Sequence, residues 1–498
     1  METQHSSIPI KLNLSNFIAG KFAPPSAKTF PVVNPATEEQ IAVCSEASVE
    51  EVDQAVAAAK RAFYKGIDGH KAWKDVPGAE RKALLKKLAE LMQRDLDIIA
   101  KLNSIDLGAP MMASKALTMG AIAKLDWCAA TAERITGETV EPKPNPDGSG
   151  SNLFSCSWRQ PFGVVAGIAP WNIPAVSFVV KVGAAVACGN TIVYKDSEKT
   201  PLAGAYLAQL SAEAGFPPGI INVIHGHGVP AGEALSLHMD VRMITFTGSC
   251  VTGKVITANS GRSNLKKVCL ELGGKSAAIV FEDADLPKAI QNAFMSFTRN
   301  SGQVCAAHTR VYAHESILDQ FVDGLKQYAA RVVPGDPMLP DTRMGPLVDS
   351  KQYDRVKGYL AAAQHEAHFL HGTSDPVKNK GYYIQPTILV PNSDDVSVVR
   401  DEIFGPIVCV MPFKTEEEVL ARVNDTEFGL HGGIYTTNLS KALRVSREME
   451  AGTVGINTGI IVDDRLPFGG WKQSGSGREN GTAFIEDFTE LKTVHIAY

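Results

Sequence analysis

From residue 162 the 498-residue chain alternates short β-branched runs with longer helical stretches: "GVVAGIA", "NTIVYKDS", "GIINVIHG", "VRMITFTGS" and "SAAIVFEDAD". This rhythm constrains the fold to an α/β class with a largely parallel sheet, because parallel strands need crossover connections and are buried on both faces. Each run ends in small or polar residues at its carboxyl end, where open parallel sheets bind ligands. The length exceeds what one core accommodates, so two or three domains are expected. Ahead of these runs, "VEEVDQAVAAAKRAFY" and "AERKALLKKLAELMQRDLDIIAKLNSIDLG" carry apolar residues at helical spacing and predict a helical start. The stretch "EPKPNPDGSGSN", residues 141–152, is the clearest break in composition and predicts an exposed turn or hairpin tip.

Composition narrows the function. A net charge of -5 from 49 basic and 54 acidic residues, with no long basic run, argues against a nucleic-acid partner. The eight cysteines are scattered singly, which suits a reducing compartment and gives no metal-ligand spacing. The amino terminus lacks the apolar core of a signal peptide, and "TVHIAY" at the other end is no lipidation or sorting signal. The apolar segment Gly163 to Cys188 is interrupted by Pro170, Asn172, Pro174 and Lys181. It predicts a buried strand, a loop and a buried helix rather than a membrane span. A cytoplasmic protein with no membrane partner is expected.

Several short stretches could carry chemistry. "NSGQVCAAHTR" sets Cys305 after a Ser-Gly-Gln turn, as an inert core thiol or a nucleophile. "FTGSCVTGK" follows a strand and opens a helix, so Ser249 and its neighbours could face an anion or simply form a tight connection. "VYKDSEKTP" puts Lys195 and Glu198 at another strand end, as a ribose-binding pair or a solvated turn. In "LELGGKSAAIVF", Glu271 is a candidate base, or else a helix cap or a partner of Lys275. In "PWNIP", Asn172 lies between prolines, as a preorganised oxyanion donor or a turn former. His225, His227 and His308 read as loop or satisfied histidines.

Taken together and in order, "PWNIP", "FTGS", "ELGGKS", "GQVC", "EIFGP" and "PFGGWKQSGSGRENG" resemble the NAD(P)-dependent aldehyde dehydrogenase superfamily, from "FIAGKF" near the start to the Gly-rich motif near the end. The resemblance implies an aldehyde dehydrogenase-like fold. Its Rossmann-like dinucleotide-binding domain would span 1–140 and 162–272, its α/β catalytic domain 273–481, and a small β oligomerisation arm 141–161 and 482–498. It further implies Cys305 as nucleophile, Asn172 as oxyanion donor, and Glu271 as the base that hydrolyses a thioester. Lys195, Glu198, Ser249, Trp171, Glu402 and Phe404 would hold the cofactor, with NAD favoured over NADP by the charge of Glu198. A homodimer or homotetramer is implied, since a β edge such as "TVHIAY" is best covered by a partner.

Departures from the family pattern bear on specificity. Asp196 replaces a frequent Pro, an added acid expected to disfavour a 2′-phosphate or to point to solvent. Ile173, Val176, Ser177 and Val180 stand where bulkier or aromatic residues are frequent, and Arg299 replaces a common Phe. Val304 and Ala306 flank Cys305; the loop "NTGIIVDDRLPF" adds Ile460, Val462 and Phe468 beside Asp463, Asp464 and Arg465. A substrate bulkier or more polar than short aliphatic aldehydes is expected. Arg299 would meet a carboxylate or hydroxyl-rich tail, or pair with Asp463 or Asp464. Three other readings meet specific residues. Glu271 argues against a CoA-acylating relative, the cofactor-binding set against a thiol esterase, and the intact Cys305, Glu271 and Asn172 against a non-enzymatic binding protein.

Overall fold

The computed structural model describes residue 8 and residues 10–150, 152–373 and 377–498. Its largest sheet has eight strands, in the order Lys21–Phe22, Phe17–Ile18, Ile221–Ile224, Thr191–Lys195, Val164–Ile168, Met243–Thr247, Lys267–Glu271, Gly475–Ser476. Four of the central five, all but Lys267–Glu271, are runs read from the sequence, while the fifth run, Ser276–Val280, lies in the other large sheet; the central five pair in parallel. Strand order reverses at Val164–Ile168, which opens a crevice at the carboxyl ends, the switch point where such sheets take ligands. All five residues of Val164–Ile168 and of Thr191–Lys195 are buried, as near-continuous β-branched runs demand when both faces are covered. Phe178, Val182 and Leu207 belong to the core on one face, while Val52, Val56 and Ile256 belong to the core on the other. Each such side chain contributes about 1.5–3 kcal/mol by leaving water.

The helical start is present as Val49–Tyr64, Gly78–Arg94 and Leu96–Leu107. Ser48 caps the first of these, accepting from the Glu51 N–H while the Glu51 carboxylate accepts from the Ser48 N–H. An antiparallel pair, Lys28–Asn34 with Glu39–Glu46, precedes it. Periodicity hides that pair: Lys28–Asn34 buries Phe30, Val32 and Asn34 but sets the apolar Pro31 and Val33 between them, and burial along Glu39–Glu46 is irregular. The apolar segment is the strand Val164–Ile168, a loop, and the helical segments Pro174–Phe178, Val179–Gly183 and Ala184–Ala187. Pro174 opens the first, where its missing N–H costs no hydrogen bond. Among the described residues no helix is long and apolar enough to cross a membrane.

A second sheet of seven strands runs Ala367–His371, Thr387–Pro391, Ile407–Phe413, His308–His314, Ser276–Val280, His431–Tyr435, Thr453–Ile456. All its pairings are parallel except that of Ala367–His371. Period-two alternation divides its core: Ile279, Tyr312 and Met411 face one layer, Val280, Val311 and Val410 the other. A third sheet joins Thr139–Pro144, Asn152–Pro161 and Thr489–Ala497. Residues 145–150 lie at the tip of its first hairpin, as the Pro/Gly/Ser composition predicts; residue 151 lies outside the described residues.

Candidate active site

The two large sheets present opposite ends to one cleft of about 400 Å³. The first sheet offers carboxyl ends: Trp171 and Asn172 follow Val164–Ile168, Lys195 ends its strand with Glu198 in the next turn, Ser249 follows Met243–Thr247, and Glu271 ends Lys267–Glu271. The second offers segments that lead into strands: Cys305 precedes His308–His314, and Glu402 and Phe404 precede Ile407–Phe413. All nine residues singled out from the sequence therefore line one cavity.

The loop carrying Cys305 is held against its backbone preference. Asn300, Ser301 and Gly302 are left-handed in succession, with φ of 49°, 56° and 75°. Strain of this kind persists only where surroundings over-determine it, and here they do. Asn300 Nδ2 donates to the main-chain oxygens of Asn172 (3.0 Å) and Gln303 (3.2 Å). The Gln303 amide donates to the Asn300 carbonyl and accepts from the Val348 N–H. Asn172 Nδ2 reaches the same Gln303 carbonyl at 3.0 Å, which leaves its second N–H for the cleft it lines. A side chain at Gly302 would place Cβ 2.1 Å from the Gly405 carbonyl oxygen.

Cys305 is partly buried, against Ala306, Leu430 and Phe468, with Val304 and Ile460 alongside. Its N–H has no acceptor among the described residues. Burial raises its thiol pKa well above the usual range, and the negative charges of Glu271, Glu402 and Glu479 add to this. Glu271 is buried with neither carboxylate oxygen hydrogen-bonded. Desolvation pushes its pKa well up and Glu479 pushes further, while Lys181 and Arg478 oppose. Neither a helix cap nor a Lys275 pairing accounts for Glu271, since Lys275 Nζ donates to the Val398 carbonyl at 2.8 Å. A buried carboxyl with unmatched oxygens beside a thiol is a group free to take a proton from water or sulfur.

Glu402 accepts from the Gly274 N–H at 3.0 Å; burial raises its pKa to about 7 against that bond. Phe404, at φ 59°, sets its ring edge-to-face on Trp171 with centroids 5.2 Å apart. The Lys199 ammonium lies over the Trp171 ring and pairs with Asp349 at 2.8 Å. Lys195 is buried and its Nζ donates to the Asp196 carbonyl at 2.9 Å. Ser249 caps the helix Cys250–Arg262, whose first turn opens on the cleft.

Three expectations need correction. Asp196 neither points to solvent nor lines the cleft. It is buried and accepts from His225 Nδ1 at 2.8 Å, so its charge is matched by a neighbour instead of facing a phosphate. Arg299 is exposed, outside the lining residues, and has no ion pair among the described residues; Asp463 pairs with Arg465 and Asp464 with Lys124. Val176 packs into the first core, while Ile173, Ser177 and Val180 line the cleft.

Sequence reading also missed Lys181 and Glu479, both in the lining. Lys181 Nζ donates to the hydroxyls of Thr245 (3.2 Å) and Thr247 (2.9 Å) and lies 3.6 Å from Glu479. A lysine inside an apolar run was the available signal, because a buried ammonium needs partners. His227 pairs with Glu46 and His308 with His431; no cluster suited to a metal occurs among the described residues.

A thiol, a buried unpaired carboxyl and an amide donor share one cleft at the switch point of a parallel sheet. The Aldehyde dehydrogenase family matches residues 22–494. Aldehyde dehydrogenase 1A1 of Oryctolagus cuniculus is 41% identical over 472 residues, which cover 95% of this chain and 93% of that protein. Among solved structures, the NAD+ complex of the aldehyde dehydrogenase from Bacillus cereus matches with TM-score 0.93 and 38% identity, covering 100% of this chain and 98% of that one. An NADP dependent enzyme of E. coli matches with TM-score 0.92 and 35% identity, covering 98% of each. The chain belongs to the aldehyde dehydrogenase family.

Proposed function

We propose that this protein oxidises an aldehyde to its carboxylic acid with NAD, through a covalent bond to Cys305. The observation that carries the proposal is Glu271, buried and unpartnered in the same cleft as the thiol. The cleft fits the cofactor on its own features. The first turn of Cys250–Arg262 can face a pyrophosphate, and Lys195 with Glu198 can take the adenosine ribose hydroxyls. Close packing at Gly273, where a Cβ would fall 2.4 Å from Glu402 Oε2, keeps Glu402 at the backbone beside Phe404 and Trp171, where a nicotinamide ribose and ring would lie. When bound, NAD supplies the acceptor for the hydride lost by the substrate carbon.

The chain's own groups do the rest. Glu271 takes the Cys305 thiol proton and passes it to solvent, the sulfur adds to the carbonyl carbon, and the carbonyl π electrons move to the oxygen, which takes the negative charge. The free N–H of Asn172 and the Cys305 N–H stabilise that oxyanion. After oxidation the acyl group is a thioester. Glu271 removes a proton from water, the water oxygen adds to the acyl carbon, and the carbon–sulfur bond breaks to release the acid and restore the thiolate.

NAD is favoured because the Glu198 carboxylate lines the cleft and would repel a 2′-phosphate. Ser177 and Val180 leave room for an aldehyde bulkier or more polar than short aliphatic ones. The domains proposed are 1–140 with 162–272, then 273–481, with an arm of 141–161 and 482–498. The exposed residues of Thr489–Ala497 support burial of that arm in a homodimer or homotetramer, and a cytoplasmic location is consistent with eight free cysteines. NADH formation with aldehydes from short aliphatic to aromatic, hydroxylated and carboxylated tests the proposal. Turnover with at least one is expected, and none with any of them contradicts it.

A further inference from the structure

Lys195 and Glu198 grip the cofactor only if the turn they stand on is held in place, and backbone pairing stops short of it. The strand Thr191–Lys195 pairs with Ile221–Ile224 up to Lys195 opposite Ile224. The next residues on each side are Asp196 and His225, both buried, with His225 Nδ1 donating to Asp196 Oδ2 at 2.8 Å. A side-chain rung therefore continues the ladder where main-chain hydrogen bonds end. His225 is itself fixed: its N–H donates to Asn16 Oδ1 at 2.9 Å and its carbonyl accepts from the Ala47 N–H at 2.8 Å. On the other side of Asp196, a Cβ at Gly204 would fall 2.6 Å from Oδ2, so the carboxylate is boxed in by the helix Leu202–Glu213. The Lys195 ammonium donates to the carbonyl of Asp196 itself.

The arrangement is costly. Asp196 Oδ1, His225 Nε2 and Asp106 Oδ1 are all buried without a partner. A buried pair with unmatched atoms is poor evidence for stability, because apolar side chains of similar volume often serve as well or better. What such a pair supplies is a fixed position.

We propose that Asp196 and His225 form a positioning pair for cofactor binding, holding the turn so that the Lys195 ammonium and the Glu198 carboxylate meet the adenosine ribose. The inference rests on the reading that those two residues hold NAD.

The experiment measures NAD dissociation constants by calorimetry, together with kcat at saturating NAD, for the full-length protein. Asp196→Ala is expected to weaken NAD binding about tenfold with kcat held within about twofold. Asp196→Asn, which can still accept from His225, should stay within about threefold of wild type. The double variant Asp196→Leu with His225→Leu should unfold at or above the wild-type temperature, yet bind NAD about as weakly as Asp196→Ala. Should Asp196→Ala fail to fold, that double variant carries the test. Wild-type affinity in the double variant, or a loss confined to kcat, overturns the proposal. Lys195→Met is the control. If it weakens binding and the pair variants do not, the positioning role alone is wrong; if it leaves binding unchanged, the ribose reading fails and the proposal with it.

Discussion

The side-chain amide of Asn172 donates to the main-chain oxygen of Gln303 at 3.0 Å, two residues before Cys305. One bond therefore ties the candidate oxyanion donor, on a loop of the first sheet, to the strained loop that carries the sulfur. The two groups proposed to meet one carbonyl are set relative to each other before any substrate arrives. Asn172→Ala removes the donor and that tie together. A fall in kcat/KM of about 10²–10³-fold is expected, with NAD affinity unchanged, by steady-state kinetics.

Glu271, the proposed base, is expected to make the rate pH-dependent. Its pKa is raised by burial and then by Glu479, so the proton-accepting form is present above that pKa and is lost as pH falls through it. The hydrolytic step should quicken as pH rises through that raised pKa. Glu479→Gln removes a like charge and should move the rise to lower pH; Lys181→Met removes the opposing cation and should move it higher. Full pH profiles of kcat check both directions, and an unmoved profile in both variants would count against Glu271 as the base.

Gly302 has no room for a side chain, with φ of 75° and the Gly405 carbonyl oxygen 2.1 Å from where a Cβ would stand. Gly302→Ala must shift the nucleophile loop. Activity should fall at least about tenfold, with a destabilisation of about 1–3 kcal/mol in denaturant titrations.

Glu198→Ala removes the carboxylate set against a 2′-phosphate. The ratio of kcat/KM for NADP to that for NAD should rise about tenfold or more, because one like-charge contact is removed. Side-by-side kinetics with the two cofactors measure it.

Much of this was legible in the chain. Four strands of the first sheet and Ser276–Val280 of the second could be read because nearly all their residues are buried, so that each is written as a short apolar run ending in small or polar residues. The nine residues lining the cleft were found because their short motifs occur in one order. Lys181 and Glu479 were not found: the first stands in an apolar run and the second in a Gly-rich turn, and only the fold brings them within 3.6 Å. Asp196 was misplaced for the same reason, since its partner His225 lies on the neighbouring strand end, out of reach of any local pattern. The pair Lys28–Asn34 and Glu39–Glu46 escaped notice because the first sets Pro31 and Val33 between its buried residues, which masks the alternation, and the second does not alternate.

The most direct test of the account is NADH formation by wild type and Cys305→Ala, with the preferred aldehyde and saturating NAD. Burial, with Glu271, Glu402 and Glu479 nearby, raises the Cys305 thiol pKa well above its usual range, so its role is read from turnover. The account predicts that Cys305→Ala binds NAD as wild type does and loses turnover by on the order of 10⁴-fold or more. A Cys305→Ala protein that still forms NADH within about tenfold of wild type would contradict covalent catalysis at this residue.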